Sequence, residues 1–229
     1  MAYVKLGEDH RGCTSLSRNF GEARGVSNTG VVVGETREGG FVWSEVTGMR
    51  PAPTAAGVVD RVYFVNKINA AGTIYIGEGE RGADREQVVV RYTDGVPEVV
   101  ISHRLSDGFF VTGMSDDGTV LVGMRELGPL NIPSVWVDGQ GVFALSDYLA
   151  LNGVVRPAGA TLNRVTSISA DGRSFGGQLR YQGAFPGFVA TIPVPGVAVV
   201  FGIAIGGWGA CRRRRTLPAT SCGLSEGLS

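Results

Sequence analysis

Along this chain, short apolar runs alternate with small clusters of polar residues and glycine, and four segments share one pattern. They read GVSNTGVVVGE from Gly25, KINAAGTIYIGE from Lys67, GMSDDGTVLVGM from Gly113 and SISADGRSFGGQ from Ser167. Each begins near an apolar residue (Val26, Ile68, Met114, Ile168), crosses a polar pair or triplet, and reaches a glycine: Gly30, Gly72, Gly118 or Gly172. A short run then leads to a closing glycine, Gly34, Gly77, Gly123 or Gly177, with one residue fewer in the first copy. Successive copies are 42, 46 and 54 residues apart.

This pattern predicts strands joined by tight turns. Asn or Asp next to Gly accepts the positive φ of a short hairpin, and the closing glycine permits a bulge or a close approach by a neighbouring segment. A loop follows, then a strand carrying an aromatic: Phe41-Val42-Trp43, Val90-Arg91-Tyr92, Val135-Trp136-Val137, and Phe185 to Val189. Further turns are expected at Thr47-Gly48, Asp94-Gly95 and Asp138-Gly139. Three to four strands per unit of this length match one propeller blade, which buries its apolar faces only against neighbours. The expected fold class is all-β, a propeller-like array of short antiparallel blades.

Composition supports this. The 36 glycines of 229 residues disfavour helices and suit turn-rich β structure, as do the runs Val31-Val32-Val33, Val88-Val89-Val90 and Val120-Leu121-Val122. Net charge is zero, but Arg212 to Arg215 leave 17 basic against 20 acidic residues over 1–211. Such a body lacks the broad basic stripe of a nucleic-acid binder. Cys13, Cys211 and Cys222 are odd in number and fit no metal spacing. The N-terminus, MAYVKLGEDHRGC, contains no apolar stretch able to act as a signal peptide.

The repeats resemble the HAF-type extracellular repeats of bacterial envelope and secreted proteins. The resemblance rests on Ile168-Ser-Ala-Asp-Gly172, Met114-Ser-Asp-Asp-Gly118, and Val26-Ser-Asn-Thr-Gly30 with Phe41-Val42-Trp43, and it covers residues 6–192. It implies a propeller-like fold and carries no catalytic constellation. Leu6-Gly7, Ser15, Ala23 and Gly25-Val26-Ser27 read as the tail of a preceding blade. The chain is therefore expected to lack its true N-terminus; a small closed propeller and the end of a larger one both remain open.

The stretch PVPGVAVVFGIAIGGWGACRRRR from Pro193 resembles the PEP-CTERM sorting signal in its planctomycete-like variants. Pro193, Val194, Pro195 and Gly196 stand for its Pro motif, with Val194 where the family usually has Glu. Val197 to Cys211 stand for the apolar span and Arg212, Arg213, Arg214 and Arg215 for the basic stop, beyond which Thr216 to Ser229 continue. The resemblance implies an exosortase-like partner that cuts near the Pro motif. Physically, Thr191 to Cys211 carry no charge, close to the roughly 20 residues of a membrane span. Four adjacent arginines behind such a run act as a cytoplasmic stop, placing the repeats outside the cytoplasm. The alternative is a last buried element of the domain.

Candidate chemistry is sparse. His10 and His103 sit in different repeats with no nucleophile motif nearby, and there is neither a Gly-x-Ser-x-Gly elbow nor a phosphate-binding loop. Ser115-Asp116-Asp117-Gly118-Thr119 has some likeness to a calcium loop or an Asp-box. It lacks the spacing of either, and its sister copies carry Asn28, Ala70 and Ala170 in related places, so a hairpin turn is expected. The recurrent aromatics Trp43, Tyr92, Trp136 and Phe188 are expected to pack between blades rather than to form a sugar platform.

The resulting expectation is a repeat domain over 1–192 with turns near 25–34, 67–77, 113–123 and 167–177. A Pro motif, C-terminal hydrophobic helix and Arg cluster occupy 193–215, and a disordered tail 216–229. The function expected is a non-catalytic surface or matrix interaction module at the cell envelope or outside the cell, anchored at least transiently through the helix. No cofactor, metal or nucleic acid is expected, and an extracellular polysaccharide or protein is the expected ligand. The alternatives are a secreted carbohydrate-active enzyme of propeller fold, which would show convergent acidic residues in a central pocket, and a soluble intracellular scaffold.

Overall fold

The computed structural model describes residues 21–103 and 108–193 in full and 201–204 as backbone. These residues form four antiparallel sheets of four strands, each a simple meander. The first contains β1 (Glu22–Val26), β2 (Val32–Thr36), β3 (Gly39–Ser44) and β4 (Gly48–Pro51). The second contains β5 (Arg61–Ile68), β6 (Ile74–Arg81), β7 (Glu86–Thr93) and β8 (Val96–His103). The third contains β9 (Phe109–Met114), β10 (Val120–Leu127), β11 (Leu130–Val137) and β12 (Gly141–Ala144). A short helix α1 (Leu145–Leu151) precedes the fourth, formed by β13 (Thr161–Ile168), β14 (Ser174–Arg180), β15 (Gly187–Thr191) and β16 (Phe201–Ala204). Each sheet is one repeat, so the antiparallel, β-propeller-like architecture follows the sequence pattern. The repeated turns join the first two strands of every blade.

The valine runs are explained by burial on both faces. In β7, Val88 and Val90 enter a core shared with the first blade, while Val89 enters one shared with the third. In β10 and β11, Leu121 and Trp136 face the second blade, and Val122 and Val135 face the fourth. A strand between two blades cannot alternate apolar with polar residues, because neither of its faces meets water.

Three features differ from the sequence reading. Ala23 and Gly25 belong to β1, which pairs with β2 of its own blade, so this part is not the tail of a preceding one. Leu6 to Ser15 lie outside the described residues. Helix α1 was not expected; it lengthens the third interval to 54 residues and buries Leu145 and Leu149, one turn apart, in the core of blades three and four. Finally, the stretch expected to be a C-terminal helix contributes Phe201–Ala204 as strand β16, paired with β15 through Phe188↔Ile203 and Val189↔Gly202. The remaining span, the Pro motif beyond Pro193, and Arg212 to Arg215 lie outside the described residues. No helix among the described residues is long and apolar enough to cross a membrane.

Candidate functional site

The first strand of each blade carries the same irregularity opposite its closing glycine. The pairing slips between Ala23 and Gly25, between Val65 and Lys67, between Gly113 and Val111, and between Val165 and Ser167. Each of these slips leaves one residue extra, Arg24, Asn66, Thr112 or Thr166; β5 and β13 slip a second time, at Tyr63 and Asn163. A side chain at the closing glycine would occupy the bulge's space. A Cβ on Gly34 would stand 2.0 Å from the Glu22 carbonyl oxygen, one on Gly123 2.2 Å from that of Phe110, and one on Gly177 2.1 Å from that of Arg164. A bulge turns its extra residue out of the sheet's alternation. Here Arg24, Asn66, Thr112 and Thr166 all line one open cavity of about 400 Å³ between β1, β5, β9 and β13.

The cavity's charge is uneven. Arg24, Lys67 and Arg164 bring cations from three blades, and Glu22 is its one lining carboxylate. Arg24 is engaged by Glu35 at 2.7 Å and Glu22 at 3.4 Å, with its guanidinium 5.0 Å above the Phe64 ring. Lys67 and Arg164 form no ion pair among the described residues. Burial, aided by repulsion from Arg24, lowers the Lys67 ammonium below the usual lysine range.

Glu78, on β6, is buried behind this wall. Its Oε1 accepts from the Val111 amide at 3.1 Å and from Asn66 Nδ2 at 3.3 Å, so it pins blade two to blade three. Desolvation outweighs these bonds and raises its pKa to about 7. Asn66 Nδ2 also donates to the Val111 carbonyl at 3.0 Å, and Asn66 Oδ1 has no hydrogen-bond partner among the described residues.

The turns that carry Gly30, Gly72, Gly118 and Gly172 form a stitched row. The Asn28 amide donates to Ala70 O and the Asp116 amide to Ala170 O, both at 2.9 Å, while Asp116 Oδ1 accepts from the Ala70 amide at 2.7 Å. Within a turn, Ser115 Oγ accepts from the Val120 amide and donates to Asp117. Asp117 also accepts from the Thr119 amide, and the Ser115 bond above all holds its carboxyl below the usual range. Ser169 and Asp171 repeat this arrangement. The Ser115–Thr119 segment is therefore a hairpin turn whose carboxylates serve neighbouring donors. Among the described residues no group of three or more His, Cys, Asp or Glu side chains could hold a metal ion.

The other singled-out residues do not meet. His103 closes β8, where its Nε2 accepts from the Phe109 amide at 3.3 Å; His10 and the three cysteines lie outside the described residues. Tyr92, Trp136 and Phe188 are buried and Trp43 is half-buried. Tyr92 stacks on Tyr75 with centroids 4.5 Å apart and donates to Pro53 O, so these rings are packing elements. Arg91 lies 5.7 Å from the Trp136 ring and bridges Glu98 and Asp138 of adjacent blades.

The cavity residues escape a reading by motif because the bulge position carries arginine in one repeat, asparagine in another and threonine in two. A positional signal exists nonetheless: Arg24, Asn66, Thr112 and Thr166 each lie three residues before the first polar residue of a turn, Ser27, Asn69, Ser115 or Ser169.

No family model matches the chain, and no curated protein does. Solved structures do. One from Agrobacterium tumefaciens, provisionally named TolB, superposes with a TM-score of 0.53 at 13% identity over 80% of this chain and 61% of its own. TolB from Acinetobacter baumannii gives 0.49 at 12% identity over 81% of this chain and 43% of its own. The chain thus spans about three-fifths or less of the length of either. At such identity the first likeness concerns the fold alone, and the chain is a β-propeller-like array of antiparallel blades.

Proposed function

We propose that this chain is a non-catalytic interaction module of the cell envelope or extracellular space, which recognises its ligand through the cavity at the inner strands. One observation carries the reading. The residues the repeats share are engaged in turns, bulges and interblade packing, whereas the four bulge positions, an arginine, an asparagine and two threonines, face one cavity. A constant frame with variable lining suits recognition. Hydrolysis of a glycosidic bond calls for two carboxyl groups flanking the scissile bond. The cavity has Glu22 alone, held by Arg24, and the raised pKa of Glu78 belongs to a carboxyl enclosed between blades. The carbohydrate-active alternative is therefore the weaker reading.

Delivery by the PEP-CTERM-like signal at Pro193 to Arg215, through an exosortase-like partner, remains part of this proposal. Its support is the sequence of that stretch, together with the repeats' resemblance to extracellular proteins. Strand pairing and membrane insertion are exclusive uses of Phe201–Ala204, and cleavage near Pro195 would detach β16 from its blade. Fractionation of the native host with mass spectrometry of both protein ends tests the proposal. The expected result is an envelope or medium form ending near Pro195. An intact cytosolic chain that begins at Met1 and retains Arg212 to Arg215 would overturn it in favour of an intracellular scaffold.

A further inference from the structure

We infer that the inner-strand cavity binds a small oxyanion, a carboxylate or phosphate group, held between Lys67 and Arg164. The inference deepens the recognition role proposed above and rests on it. Three cations from three separate blades converge on about 400 Å³ lined by a single carboxylate. That carboxylate and Glu35 both lie on Arg24, so the first blade's charge is largely answered within the blade. Lys67 and Arg164 have no such answer among the described residues. Lys67 is half-buried, and Arg24 is near enough to repel it, so the site holds uncompensated positive charge before any ligand enters.

An oxyanion entering here gains charge-assisted hydrogen bonds from both side chains. It also relieves the repulsion between Lys67 and Arg24. Thr112 and Thr166, the bulge residues of the third and fourth blades, lie at the same wall with their hydroxyls donating to the Val165 and Gly176 carbonyls, so the two cations are left to bind the anion. A neutral sugar would leave the cations unanswered, and a cation would be repelled. The two sources of such a group are a free phosphate and an acidic sugar such as a uronic acid, which share this chemistry.

The test is titration calorimetry of the full chain with inorganic phosphate, glucuronate and glucose, repeated with Lys67→Met and Arg164→Met. At least one anion is expected to bind while glucose does not. Each substitution is expected to weaken binding by about tenfold or more, the usual value of a hydrogen bond to a charged group. Raised salt weakens binding as well. Phosphate binding alone identifies a phosphate site, and stronger binding of glucuronate identifies an acidic sugar. Unchanged thermal unfolding of both variants separates lost binding from lost folding. Glucose binding with no response to either anion would overturn the oxyanion site and leave the recognition role standing. Cleavage of a glycoside by the chain would overturn the recognition role itself. Anion binding untouched by both substitutions would locate it elsewhere and overturn the assignment.

Discussion

At the scale of single residues, Glu78 joins opposing requirements. Its carboxyl accepts from the Val111 amide and from Asn66, bonds that favour the charged form, yet burial prevails and raises its pKa from 4.5 to about 7. A pKa raised in the folded state means that the folded chain binds the proton more tightly than the unfolded one. The stability this contributes is complete below about pH 4.5 and is lost as pH rises through about 7. Replacing the carboxyl by an amide removes the titration while retaining an oxygen for the Val111 amide. Denaturant unfolding from pH 5 to 8 is expected to show the wild type losing about 1–3 kcal/mol more than Glu78→Gln over that range. Parallel pH profiles for the two proteins would show that Glu78 stays ionised throughout.

At the scale of elements, the repeat places two kinds of glycine side by side, and they do different work. The turn glycines have left-handed backbones, Gly30 at φ 81° and Gly72 at φ 79°. A Cβ on Gly30 meets nothing within 4 Å, whereas one on Gly72 stands 2.7 Å from Thr29 of the preceding blade's turn. The closing glycines Gly34, Gly123 and Gly177 instead face a carbonyl oxygen at 2.0–2.2 Å, while the nearest atom to Gly77 is a carbonyl at 3.0 Å. Substitution by alanine should therefore be graded. Gly30→Ala is expected to cost about 1 kcal/mol, from backbone strain alone. Gly123→Ala and Gly177→Ala are expected to cost about 3 kcal/mol or more, since a bulge must be rebuilt, with Gly77→Ala in between. Equal melting temperatures across the series would separate the bulges from the glycines. This series also marks what was legible in the sequence. Glycine spacing is set by backbone conformation, which each repeat must satisfy by itself, so turns and strands follow from it, whereas the number of blades does not. Arg24, Asn66, Thr112 and Thr166 are not fixed by that backbone requirement and range over three residue types, so only their position could have singled them out. Helix α1 lacks a side-chain N-cap, and its seven residues give the 3.6-residue period just two buried leucines to show. Strand β16 lies in a span whose apolar composition is equally that of a helix.

At the scale of the molecule, cohesion passes through three interblade cores in series. The outer two are broad: blades one and two share Val33, Val62, Val65 and Tyr92, while three and four share Leu145, Leu149, Phe175 and Leu179. The middle core joins Ile76, Val89 and Ile101 of the second blade to Phe109, Leu121 and Trp136 of the third. It is supplemented by the Glu78–Val111 bond and by Arg91, which reaches Asp138 at 2.9 Å and the Gly118 carbonyl at 3.2 Å. In an array where each unit contacts only its neighbours, cooperativity survives as long as every junction outweighs the difference in stability between the parts it joins. Leu121 is fully buried at the middle junction, and truncating it to alanine removes about 2–5 kcal/mol of packing there without entering either outer core. Urea unfolding of Leu121→Ala, followed by tryptophan fluorescence and circular dichroism, is expected to separate into two transitions, because the halves then unfold independently. Phe175→Ala removes as much from the broad core that blades three and four share, leaves the middle junction intact, and should lower the midpoint while the probes still coincide. A single coincident transition in Leu121→Ala would mean that the four blades are held by more than this chain of neighbours, as a closed ring would hold them.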